Sequence, residues 1–109
     1  MVKNYRQGEV LIFGVQKEEL KNRYQKGWQK KAKPRDNVII EGEISGHKHE
    51  VINGRMYDHP DKKGVMILEA GEDCQVIHPE HKPIPVPRGV YEIDIQREYD
   101  GKDSNKVKD

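Results

Sequence analysis

Val90-Tyr91-Glu92-Ile93-Asp94-Ile95-Gln96 alternates without a break, with Tyr91, Ile93 and Ile95 on one side and Glu92, Asp94 and Gln96 on the other. Period two is the side-chain period of a β-strand with one buried face. Working outward, Glu9 to Val15 (Glu-Val-Leu-Ile-Phe-Gly-Val) is β-rich and nearly continuous, which predicts a strand covered on both sides. Val38 to Glu43 is a further strand, and His47 to Ile52 alternates as far as Asn53-Gly54. That pair signals a two-residue hairpin, because both central positions of a type I′ turn need positive φ. Arg55-Met56-Tyr57 is then the short return strand. Val65 to Leu68 and Gln75 to His78 are two more strands, split by a turn at Gly71-Glu72-Asp73. Pro79 to Pro87 holds four prolines in nine residues, none with a ladder donor, so it reads as a stiff extended crossing. Six or seven short strands of this kind predict an all-β fold, a small antiparallel β-barrel or two-sheet sandwich.

Composition sets the remaining bounds. With 109 residues there is room for one core, read as a single β-barrel domain over 1–100 and a polar tail over 101–109. Charged residues (36%) outnumber hydrophobic ones (33%), so the core is small. No apolar stretch approaches the roughly 20 residues of a membrane span. The opening residues lead straight into charge with no apolar leader, and the expected location is cytoplasmic. Cys74 is the only cysteine, which excludes an intramolecular disulfide and a cysteine-based zinc knuckle. A net charge of +1 argues against binding long DNA. Residues 17–36 depart from this balance. From Gln16 to Asp36 eight Lys/Arg face three acidic residues, with Tyr24 and Trp28 interleaved and a short helix expected over Glu18 to Lys26. This basic insertion reads as a solvated helix face, or as a lid that brings an anion to the site, with Tyr24 or Trp28 stacking on a base.

Four of the five histidines form two tight groups, Gly46-His47-Lys48-His49-Glu50 and His78-Pro79-Glu80-His81. At strand spacing His47 and His49 share a face, and in a barrel of this size the two groups are expected to meet near one rim. Histidine titrates near neutrality unaided, so such a cleft suits proton transfer or metal binding. His59, in Tyr57-Asp58-His59-Pro60, reads as a loop residue without function. Continuing the last strand puts Arg97 and Tyr99 on the inward face, where Arg97 pairs with an internal anion such as Glu9 or Glu69, or grips a ligand phosphate. With serines only at 45 and 104, no G-x-S-x-G elbow and no Gly-rich phosphate loop, the chemistry falls to histidine with Arg or Lys helpers.

A partial resemblance to cupins, small barrels that hold a divalent metal, lies in the His-x-His pair. It fails at the acidic ligand, since Glu50 follows His49 directly, and at Pro87-Arg88-Gly89, which no histidine follows. The wider set Arg6-Gln7-Gly8-Glu9-Val10, Gly46-His47-x-His49, His78-x-x-His81-x-Pro83-Ile84-x-Val86-Pro87-x-Gly89-x-Tyr91 and Gln96-Arg97-Glu98-Tyr99 resembles small β-barrel ring nucleases associated with type III CRISPR systems and phages. That resemblance spans Arg6 to Tyr99 apart from Gln16 to Asp36. It implies a metal-independent phosphodiesterase that degrades the cyclic oligonucleotide messengers of antiviral (CRISPR/CBASS-type) signalling, such as cyclic oligoadenylate. His47 and His49 would carry the acid–base work, with His81 next, and Arg6, Lys48, His78, Arg97 and Tyr99 would face the substrate. No cofactor and no metal is expected, and a two-fold symmetric ring suits a homodimer. The rival expectations are a cupin-like metal-binding protein or metal-dependent enzyme, and a non-enzymatic nucleotide-binding module.

Overall fold

The computed structural model describes residues 3–42 and 44–96. It is all-β around one bent antiparallel sheet of eight strands: β1 (Asn4–Gln7), β2 (Val10–Gly14), β3 (Lys33–Arg35), β4 (Val38–Glu41), β5 (Lys48–Asp58), β6 (Met66–Ile77), β7 (Ile84–Pro85) and β8 (Gly89–Ile95). The order is β1-β2-β8-β6-β5-β3, with β4 beside the start of β5 and β7 beside the end of β6, so the sheet stays open between β1 and β3. One helix, α1 (Lys17–Asn22), and a 3-10 turn (Trp28–Lys30) lie between β2 and β3. Among the described residues no helix is long and apolar enough to cross a membrane.

The longest strands are where expectation and structure part. Asn53-Gly54 does not turn the chain back, and Gly71-Glu72-Asp73 does not split a strand. β5 and β6 run continuously through both points and pair from Glu50↔Ile77 to Asp58↔Met66. A type I′ turn needs two residues at positive φ, and here Asn53 takes it (59°) while Gly54 does not. Asn53 instead opposes the loop of Asp73 (φ 57°), donating its side-chain N–H to the Asp73 carbonyl at 3.2 Å. The register shifts here, with residues 71–74 of β6 opposing Asn53 alone, a wide bulge that lets each half of the two strands find different neighbours. At Asp73 a β-branched residue would meet the left-handed penalty of about 1–2 kcal/mol. Asp73→Val is expected to lower the urea midpoint accordingly, while Asp73→Gly leaves it unchanged or raised.

The inner face of the bend holds the main core, with Val10, Ile12, Leu68, Val76 and Ile93 fully buried. β8 buries Tyr91, Ile93 and Ile95 and leaves Glu92 and Asp94 half-buried, as its alternation requires. β2 is not covered on both sides: Phe13 is 42% exposed. The basic insertion covers the outer face elsewhere, where Tyr24, Ala32 and Trp28 pack on Tyr57 and Ile67. Trp28 meets Tyr24 and Tyr57 edge-on at ring separations of 5.2 and 5.0 Å. Tyr24 donates to Glu92 at 2.7 Å and Gln29 to Glu69 at 2.8 Å, which pins the insertion down. Tyr24 and Trp28 are thus engaged in packing at the far end of β5 from His47 and His49, and the insertion forms no lid over those histidines.

Candidate functional site: a histidine cluster at the sheet rim

Beyond this bulge the first half of β5 and the last residues of β6 run to one rim. The proline-rich crossing leaves β6 there, and the β1–β2 turn, tightened by Gly8 at φ 59°, folds over from the other edge. Four imidazoles meet at this point. His78 is central, with ring centroids 4.2 Å from His49, 4.6 Å from His81 and 5.7 Å from His47. His49 is 2% exposed, His47 and His78 are half-buried, and His81 is exposed. Gly8 makes room for this packing, since a Cβ there would stand 3.0 Å from His81 Nε2.

Hydrogen bonds fix which nitrogen of His49 and of His78 carries the proton. The Gln7 carboxamide N–H donates to the carbonyls of Val76 (3.1 Å) and Lys82 (2.9 Å), so its oxygen faces His49 Nδ1 at 2.8 Å as an acceptor. His49 therefore holds its proton on Nδ1, leaving the Nε2 lone pair to the cluster, 3.4 Å from the Glu9 carboxylate. In His78 the order is reversed: the Glu80 backbone N–H donates to Nδ1 at 3.0 Å, so the neutral ring carries its proton on Nε2. His47 Nδ1 faces the Glu80 carboxylate at 3.1 Å. Gln7, Glu9 and Glu80 were not singled out from the sequence for these roles. The signal available was their position beside a turn glycine and inside the second histidine group.

Burial, with the neighbouring His78 and His81 rings, depresses the His49 pKa against the pull of Glu9. Burial and the flanking His81 and His47 lower His78 in the same sense, against Glu80 and Glu9. Each ring therefore takes up its proton at lower pH in the folded chain than in the unfolded one, which binds protons first as pH falls below about 6.5. Stability contributed by neutral His49 is full above that pH and falls below it, by at most about 1.4 kcal/mol per pH unit. A urea midpoint that drops between pH 7.5 and 5.5 is the expected result; a flat one means the ring is not held neutral. Glu92 acts separately and lower: burial alone would raise it, but hydrogen bonds from Tyr24 and Lys62 outweigh this and hold it below the usual carboxylate range.

The other expected site residues divide. Arg6 stands on the rim, donating from Nε to the Gly8 carbonyl at 2.9 Å and from its guanidinium to the Gln96 side chain. Lys48 lies on β5 between His47 and His49, so its side chain leaves from the other face, in register with Glu41 and exposed. Arg97 and Tyr99 lie outside the described residues. His59 is a buried support: its Nδ1 accepts the Asp61 and Lys62 backbone N–H groups at 3.0 Å and its Nε2 faces Glu92 at 3.5 Å.

One atom each from His49, His78 and His81 lies within 4.8 Å of the others, a spacing that could hold a metal ion. His49 fits, because a metal-binding imidazole ordinarily donates its other N–H to an oxygen acceptor, as here to Gln7. His78 fits poorly, since its Nδ1 is occupied by the Glu80 N–H and its Nε2 carries the proton.

Fold and site together define a small, open antiparallel all-β protein with a rim cluster of four histidines. The chain belongs to the family described as Domain of unknown function (DUF8820), whose model matches residues 6–96. No curated protein and no solved structure matches it.

Proposed function

We propose that the histidine cluster is the active site of a metal-independent phosphodiesterase that opens cyclic oligonucleotide messengers of antiviral signalling, acting in the cytoplasm as a homodimer. The observation that carries this reading is the Gln7 carboxamide, which presents the buried His49 as a neutral base with a directed lone pair. An RNA-type phosphodiester brings its own nucleophile, so the protein needs only a base, an acid and donors for the phosphoryl oxygens. His49 Nε2 takes the ribose 2′-OH proton as the 2′-oxygen attacks phosphorus, and Glu9 compensates the imidazolium that forms. The P–O5′ bond breaks, and His47, backed by the Glu80 carboxylate, gives the leaving 5′-oxygen its proton. The products are a 2′,3′-cyclic phosphate and a 5′-hydroxyl. His78, between the two and neutral with its proton on Nε2, donates a hydrogen bond to the phosphoryl oxygen, with the exposed His81 beside it.

The convergence of three histidine nitrogens favours a second reading, a divalent metal held by His49, His78 and His81. A panel of cyclic di-, tri-, tetra- and hexanucleotides, incubated with and without EDTA, separates the two. Linear products ending in a cyclic phosphate and formed equally in EDTA are the expected result. Activity lost to EDTA and restored by one added metal would transfer the site to the second reading, and no cleavage of any ring would end the first.

A further inference from the structure

We propose that the cleft between the basic insertion and the β5–β6 loop is a second ligand site, for a small aromatic phosphate ester such as a nucleoside monophosphate. It lies on the outer face of the sheet, beyond the last residue of β5, whereas the histidine cluster sits at that strand's start and inner face. Its volume of about 390 Å³ falls at the lower end of small-molecule sites, which suits one nucleotide and not a chain.

Charge and shape point to the ligand's two halves. Arg23, Lys26 and Lys31 line the cleft against a single carboxylate, Asp61. Lys26 and Lys31 have no ion pair among the described residues, and Arg23 has only an exposed contact with Glu19 at 3.4 Å. Beside these cations the half-buried Trp28 and the exposed Pro60 offer a flat apolar surface to a ring. The wall is also preformed, because the Tyr24–Glu92 and Gln29–Glu69 hydrogen bonds seat the insertion without a ligand. His59 faces the cleft with both ring nitrogens already engaged, so the site is built to bind and holds no imidazole poised for proton transfer.

Trp28 is the only tryptophan of the chain, so its emission reports this cleft alone. Titrating the full protein with AMP is expected to change that emission saturably, with adenosine and inorganic phosphate each binding at least tenfold more weakly. His49→Ala should leave the titration unchanged, and the double variant Lys26→Glu/Lys31→Glu, at two exposed positions, should weaken it at least tenfold at unaltered thermal stability. Four results would overturn the proposal: no saturable change with AMP, equal affinity in the charge-reversed variant, a response lost in His49→Ala, or an oligoribonucleotide binding tighter than AMP in proportion to its length. Because the readout is binding at Trp28, it stands or falls apart from the cleavage assay.

Discussion

His49→Ala is expected to lower the rate of ring opening by about 10²–10⁴-fold, the usual worth of one positioned proton-transfer group. The ring is 2% exposed, so the substitution also removes packing, and loss of rate alone would not separate chemistry from folding. The pH profile does. Because burial and the neighbouring rings depress His49, the acidic limb of kcat/KM should lie below the ordinary imidazole value of about 6.5. Gln7→Glu keeps an acceptor at Nδ1 but places a carboxylate there, which favours the charged ring and should move that limb upward. A limb that does not move in Gln7→Glu would remove Gln7 from the positioning role and His49 from the role of base.

Leu68→Ala is the second large effect, and it falls on stability. Leu68 is fully buried on the inner face of β6, between β5 and β8, where neighbours on both sides are fixed by ladder hydrogen bonds and cannot collapse into the space. Such truncations cost about 2–5 kcal/mol, against a total of about 5–15 for a domain of this size. The urea midpoint should fall severely, while Ile52→Ala, at a position 42% exposed, should shift it little. A loss under about 1 kcal/mol at Leu68 would contradict its burial in the main core.

The fold was legible where local pattern and final pairing agree. The alternation of β8 needed only its own residues, and the prolines of the crossing excluded a central strand on chemistry alone. Asn53-Gly54 and Gly71-Glu72-Asp73 misled because a turn signal states that one residue can take positive φ, not whether the flanking runs pair with each other or with a third strand. That choice is made by burial of Val51, Met56 and Leu68 in one core, which no short window contains. Tyr24 misled in a similar way, since an aromatic beside lysines looks the same in sequence whether it awaits a ligand or is buried in a core. The meeting of the two histidine groups followed from strand spacing and barrel size. The roles of the rings did not, because they rest on Gln7, 42 residues from His49 and 69 from Val76.

That bridging carboxamide ties the site's readiness to a fragile part of the molecule. Gln7 ends β1, an edge strand paired on one side only, and edges open more readily than the strands they cover. Both the Gln7 anchor of the His49 ring and the facing Glu9 carboxylate come from this edge strand and its turn, whereas the main core lies mostly between β5, β6 and β8. The placement of the His49 ring therefore depends on a β1–β2 pairing only four residues long.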